Sequence, residues 1–120
     1  MANDYALYLD DIRDPPHTGD HWLLCRTVAT MLDTLNENGI PKRASFDYEL
    51  GRTDPGNTGA DAVSAFLDYL VLNPLEAAEH VELEVRLHTS SRYGEKRMAE
   101  LLKQGAAACK AAGIRLVHKY

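Results

Sequence analysis

Two cysteines in 120 residues, Cys25 and Cys109, are too few to make a disulfide framework. Both sit in apolar patterns, as reduced buried thiols do, and this points to a cytoplasmic protein. Long hydrophobic runs are also missing. The longest, around Leu70, Val71 and Leu72, is cut by Asn73 and Pro74, well short of the roughly 20 residues that span a bilayer. Met1-Ala2-Asn3-Asp4 carries no basic region ahead of an apolar core, so no secretory signal and no membrane partner are expected. Positive charge is scarce: 13 Lys and Arg stand against 18 Asp and Glu, a net charge of −5. Duplex affinity comes largely from dense positive charge, so bulk nucleic-acid binding is not expected, whereas a small phosphorylated ligand at one local site is compatible with this balance. The sequence has no Walker loop, dinucleotide fingerprint, nucleophile elbow or zinc motif, and His17, His21, His80 and His118 show no metal-ligand spacing.

What is present is a 45% hydrophobic content, enough for one core, and residues 1–120 read as a single domain. Strand-like and helix-like segments alternate. Residues 5–10, 21–26, 43–47, 81–88 and 114–118 read as strands, the fourth with a strict alternation of Val81, Leu83, Val85 and Leu87 against Glu82, Glu84, Arg86 and His88. Thr27 opens a helix with Val28, Met31, Leu32 and Leu35 on one face, stopped by Gly39 and Pro41. Thr58 and Asp61 form a capping box for a second helix, which Asn73 and Pro74 end. A third helix runs over 93–112 to Gly113. Residues 48–57 are polar and rich in Gly and Pro, hence a loop.

This alternation predicts an α/β fold with a parallel five-stranded sheet in the flavodoxin-like, receiver-like order 2-1-3-4-5. Two of the usual five helices are missing from the pattern. The loop at 11–20, with Pro15, Pro16 and Gly19, stands in place of the first, and the last would lie beyond Tyr120. Both would cover the same sheet face, so that face is expected to be partly open, with Glu82, Glu84, Arg86 and Arg115 on it. The first two strands are apolar on both faces, so the Pro-rich loop or a second subunit is expected to cover that half, and a homodimer is compatible with this.

Ligands of such sheets bind outside the carboxyl ends of the strands, at the switch between strands one and three. Strand one ends in Asp10-Asp11, strand three in Asp47 with Glu49 beyond, and strand four in His88-Thr89-Ser90-Ser91. Strand order 1-3-4 brings these ends to one crevice. Clustered carboxylates suit a hard divalent ion, Mg²⁺ or Mn²⁺, that bridges to a substrate phosphate, with Asp10, Asp11 and Asp47 as ligands. His88 is a candidate acid or base near neutral pH. The N-terminus of the last helix is an anion site, with Thr89, Ser90, Arg92 and Arg13 beside it. Lys96 adds charge there, Arg97 reads as a solvated helix face, and Lys119 is placed to overlook the same crevice.

These residues resemble a known family. The run from Leu7 to Pro16, then Ser45-Phe46-Asp47-Tyr48-Glu49-Leu50-Gly51 with Thr58-Gly59-Ala60-Asp61, then His88-Thr89 with Gly94 and Met98, is similar in order and spacing to the three motifs of the cyclic-phosphate processing receiver-like domains. The resemblance implies a receiver-type fold with an acidic metal pocket that handles cyclic phosphates of nucleotides or RNA ends. It implies that Asp10, Asp11 and Asp47 are the acidic positions, Asp47 also the phosphoacceptor position of ordinary receivers, His88 the family histidine and Gly94 a tight-turn glycine. Tyr48 stands where the family has His, Glu49 where it has Asp, and Ser91-Arg92 where it has Asn-Pro. The expected function is therefore a metal-dependent phosphoesterase with Asp47, His88 and Glu49 as catalytic residues and His88 as the donor to the leaving oxygen. Arg13, Thr89, Ser90, Arg92 and Gly94 are expected to bind the substrate. The alternatives are a receiver switch phosphorylated on Asp47 and a non-catalytic binding module that keeps the pocket.

Overall fold

The computed structural model describes residues 3–51 and 55–119. Five strands form one all-parallel sheet in the order β2-β1-β3-β4-β5. They are β1 (Tyr5–Leu9), β2 (His21–Cys25), β3 (Arg43–Phe46), β4 (Leu83–Leu87) and β5 (Leu116–Lys119). The helices are α1 (Val28–Asn38), α2 (Gly59–Leu72), α3 (Pro74–Ala77) and α4 (Arg92–Ala111). Among the described residues, none is long and apolar enough to cross a membrane. Within the loop expected over 48–57, residues 52–54 lie outside the described residues.

Period-two alternation divides the sheet. Tyr5, Leu7 and Leu9 of β1, Ala44 and Phe46 of β3, and Leu83 and Val85 of β4 join one hydrophobic cluster with the buried faces of α1, α2 and α4. Val63, Phe66, Leu67 and Leu70 supply the α2 stripe, and each fully buried side chain of this kind contributes about 1.5–3 kcal/mol. Thr58 caps α2 reciprocally with Asp61: the Thr58 hydroxyl accepts from the Asp61 N–H at 3.2 Å, and the Asp61 carboxylate accepts from the Thr58 N–H at 3.0 Å.

Two expectations need correction. The alternation from Val81 onward does not all become strand: β4 begins at Leu83, whose N–H reaches the Arg115 carbonyl at 2.8 Å, and Val81 is 84% exposed. Glu82 therefore stands outside the ladder and pairs with Arg115 at 3.5 Å. The chain also restarts a helical turn, α3, directly after α2, because Pro74 tolerates the first helical position, where no N–H is needed.

The opposite sheet face carries no helix among the described residues, and no helix separates β1 from β2. Ala6 and Tyr8 are nevertheless buried. Asp14, Pro16 and Thr18 of the loop after β1 line a depression on this face together with Tyr8 and Trp22, and the Trp22 indole N–H donates to the Thr18 hydroxyl at 2.9 Å. Further along the same face runs a row of charges. Arg43 bonds both Asp20 and Glu84, Lys42 reaches Asp20 at 3.1 Å, and Glu84 also accepts from Arg86 at 2.9 Å. Lys119 joins the row 3.9 Å from Glu84 instead of overlooking the acidic crevice.

Burial alone would raise the pKa values of Asp20 and Glu84. The hydrogen bonds and charges of Lys42 and Arg43 on the first, and of Arg43 and Arg86 on the second, outweigh it and hold both below the ordinary carboxylate values. Unfolded Asp and Glu titrate near about 3.9 and 4.3, so the folded state binds fewer protons there. Their stabilisation is complete above those values and disappears as pH falls through the lower folded ones. The urea midpoint is expected to hold from neutral pH to about 5 and then drop, with a shallower acid limb in Arg43→Met.

Candidate functional site

Each functional side chain sits where a strand stops. Asp10 follows β1: its N–H still bonds the Cys25 carbonyl at 3.1 Å, while its Oδ1 accepts from the N–H groups of Ile12 and Arg13, both at 2.9 Å. That Asx-type turn directs the chain off the sheet. Asp47 follows β3, with its N–H on the Leu9 carbonyl at 3.0 Å and its Oδ1 accepting from the Tyr48 N–H at 2.8 Å. His88 follows β4, with its N–H on the Phe46 carbonyl at 3.0 Å. Ser91 caps α4 by accepting from the Gly94 N–H at 3.0 Å.

Asp10, Asp11, Arg13, Asp47, Glu49, Thr89 and Ser90 line one depression of about 260 Å³ together with Ile12 and Gly51. Carboxylate oxygens of Asp10, Asp11 and Asp47 all lie within 4.8 Å of one another. Asp10 is 1% and Asp47 6% exposed, so their charges cannot simply be solvated. Oxygens bound to one Mg²⁺ at about 2.1 Å are at most about 4.2 Å apart, so small side-chain adjustments fit this set to a hard divalent ion that keeps several waters. Gly51 has a φ of 77°, and a side chain there would strike the Asp11 carboxylate.

His88 lines a second depression, on the open sheet face, and not the acidic one, whose Asp10 it contacts. That trough is lined by His88, Tyr8, Trp22, Ser45 and Arg86 among others. The ring stacks on Tyr8, with centroids 4.3 Å apart and planes at 8°. Its Nε2 lies 3.0 Å from Asp10 Oδ2, its Nδ1 lies 2.7 Å from Ser45 Oγ, and its backbone carbonyl accepts from Arg13 at 3.1 Å. Burial is the largest influence on His88 and lowers its pKa below the ordinary imidazole value, against the opposing pull of Asp10. The expected role as acid to the leaving oxygen does not match this geometry, because both ring nitrogens are engaged within the protein and burial disfavours the protonated ring. The geometry makes His88 a hydrogen-bond donor to Asp10. Burial also works to raise the Asp10 pKa, but the two backbone N–H bonds and His88 outweigh it, and the net shift is downward.

Two expected substrate contacts fall elsewhere. Arg92 begins α4 and does not line the depression. Gly94 is not in a tight turn: it lies in the first turn of α4 against the Tyr48 side chain, and a Cβ there would approach Tyr48 Cδ2 to 2.6 Å and its Cγ and Cβ more closely. Tyr48 in turn meets Tyr93 edge-on at 5.9 Å and packs on the core. Gly94→Ala is thus expected to cost about 1–3 kcal/mol through overpacking. In Gly94→Ala/Tyr48→Ala most of that cost should vanish, which a double-mutant cycle of urea midpoints measures. Sequence reading missed Ser45 and Tyr8. The available signal was parity, since Ser45 lies two residues before Asp47 and Tyr8 two before Asp10, on the same face.

A parallel 2-1-3-4-5 sheet with acidic residues at the ends of β1 and β3 defines a receiver-like domain. A family model for the cyclic-phosphate processing receiver domain matches residues 5–104, and the chain belongs to that family. No curated protein and no solved structure matches it.

Proposed function

We propose that this domain is a metal-dependent phosphoesterase acting on a small cyclic phosphate. The observation that carries the reading is the set of three carboxylates within 4.8 Å, in one depression with Arg13, Thr89 and Ser90. Asp10, Asp11 and Asp47 would hold Mg²⁺ or Mn²⁺, and the bound ion supplies a Lewis acid and an activated water. Arg13 and the hydroxyls of Thr89 and Ser90 orient the phosphate oxygens and offset their charge. In the overall reaction a water oxygen adds to phosphorus, the ring P–O bond breaks, and one proton passes from the water to the departing oxygen. Glu49, an exposed carboxylate that lines the depression, would carry that proton. His88 keeps Asp10 in register.

A second reading, a binding module without turnover, is favoured by Tyr48, whose ring packs under α4 and does not line the depression. Incubation with nucleoside 2′,3′-cyclic phosphates, with and without Mg²⁺, followed by phosphate NMR and calorimetry, separates the two. Mg²⁺-dependent ring opening supports the enzyme, and binding without ring opening supports the module. A stable phosphoryl adduct on Asp47 after treatment with a small phosphodonor would instead identify a receiver switch.

A further inference from the structure

Ser45 belongs to β3 and faces the open side of the sheet, outside the acidic depression. We infer that Ser45 is a positioning residue for the acidic centre: its hydroxyl fixes His88 as the Nε2–H tautomer and so holds Asp10 Oδ2 in place. The inference rests on the metal-dependent reading above and extends it to a residue outside the depression.

For a neutral imidazole the donor and acceptor inventory leaves one arrangement. An ionised Asp10 only accepts, so the proton at the 3.0 Å contact belongs to His88 Nε2. A neutral imidazole then presents a lone pair at Nδ1, and Ser45 Oγ–H, 2.7 Å away, must donate to it. Ser45 is 5% exposed, so bulk water competes poorly for the same nitrogen. Tyr8, stacked flat on the ring, restrains it from turning away. With Oδ1 on two backbone N–H groups and Oδ2 on His88, the Asp10 carboxylate is clamped at both oxygens. One lone pair, on Oδ2, remains to meet an ion shared with Asp11 and Asp47, with Arg13 Nε 3.8 Å from the same oxygen.

Removing the Ser45 hydroxyl leaves Nδ1 without a donor. The Nε2–H form then rests on Asp10 without a donor at Nδ1, so the Nδ1–H form, in which His88 no longer supports Asp10, gains population. Loss of such an outer partner typically weakens a metal about 10- to 100-fold.

The test is long-range ¹H–¹⁵N NMR of the His88 ring in the full chain, paired with Mg²⁺ calorimetry. The wild type is expected to show the Nε2–H tautomer. Ser45→Ala and the volume-conserving Ser45→Cys should show mixed tautomers and weaker Mg²⁺ binding by about 10- to 100-fold. Ser45→Thr should restore both. An unchanged tautomer in both Ser45→Ala and Ser45→Cys overturns the inference, and so does an equal loss of Mg²⁺ affinity in Ser45→Thr. If the wild type itself binds no Mg²⁺, the phosphoesterase reading fails, while the tautomer readout still decides the role of Ser45.

Discussion

Asp47→Asn is expected to reduce Mg²⁺-dependent ring opening about a thousandfold, which corresponds to about 4 kcal/mol of lost transition-state stabilisation. Asparagine keeps the Oδ1 that accepts from the Tyr48 N–H, so the turn after β3 survives. It removes one of three carboxylate charges crowded within 4.8 Å, so the apo protein should be no less stable than wild type. Turnover and the urea midpoint should therefore part company: activity collapses and the midpoint holds or rises. Retained turnover would mean that Asp47 is not in the machinery. A lowered midpoint would mean that its role is structural.

Phe46→Ala should have the reverse signature in stability. Phe46 is fully buried, meets Phe66 edge-on with centroids 5.5 Å apart, and ties β3 to α2 immediately before Asp47. Truncation leaves a cavity at the centre of the helix-covered face and is expected to cost about 3–5 kcal/mol. That is a large share of the roughly 5–15 kcal/mol that holds an ordinary domain together. Phe46→Leu keeps most of the volume and should cost clearly less. Urea unfolding of both variants measures the difference.

The fold was legible because its information is periodic. Alternation in the five strand segments, the Thr58 and Asp61 cap, and glycine and proline stops reported local geometry directly, and strand order followed from the alternation of types. Convergence of Asp10, Asp47 and His88 was legible for the same reason, since each follows the last residue of a strand. Where the pattern misled, a partner strand was missing: Val81 continues the alternation of β4 but has no ladder to join. The His88 role was not legible, because ring orientation depends on Tyr8 and Ser45, which lie 80 and 43 residues away in the chain. Gly94 was misread for a related reason. A glycine suggests a turn, whereas here its missing Cβ makes room for a tyrosine 46 residues earlier.

Three separate carboxylates, those of Asp10, Asp11 and Asp47, are expected to share one ion. Crystals of the wild-type chain soaked in Mn²⁺ and measured for anomalous scattering address this directly. One peak should appear about 2.2 Å from oxygens of Asp10, Asp11 and Asp47, with the rest of its coordination completed by water. Crystals with no peak in the depression, or with the ion held elsewhere at matched concentration, would contradict it.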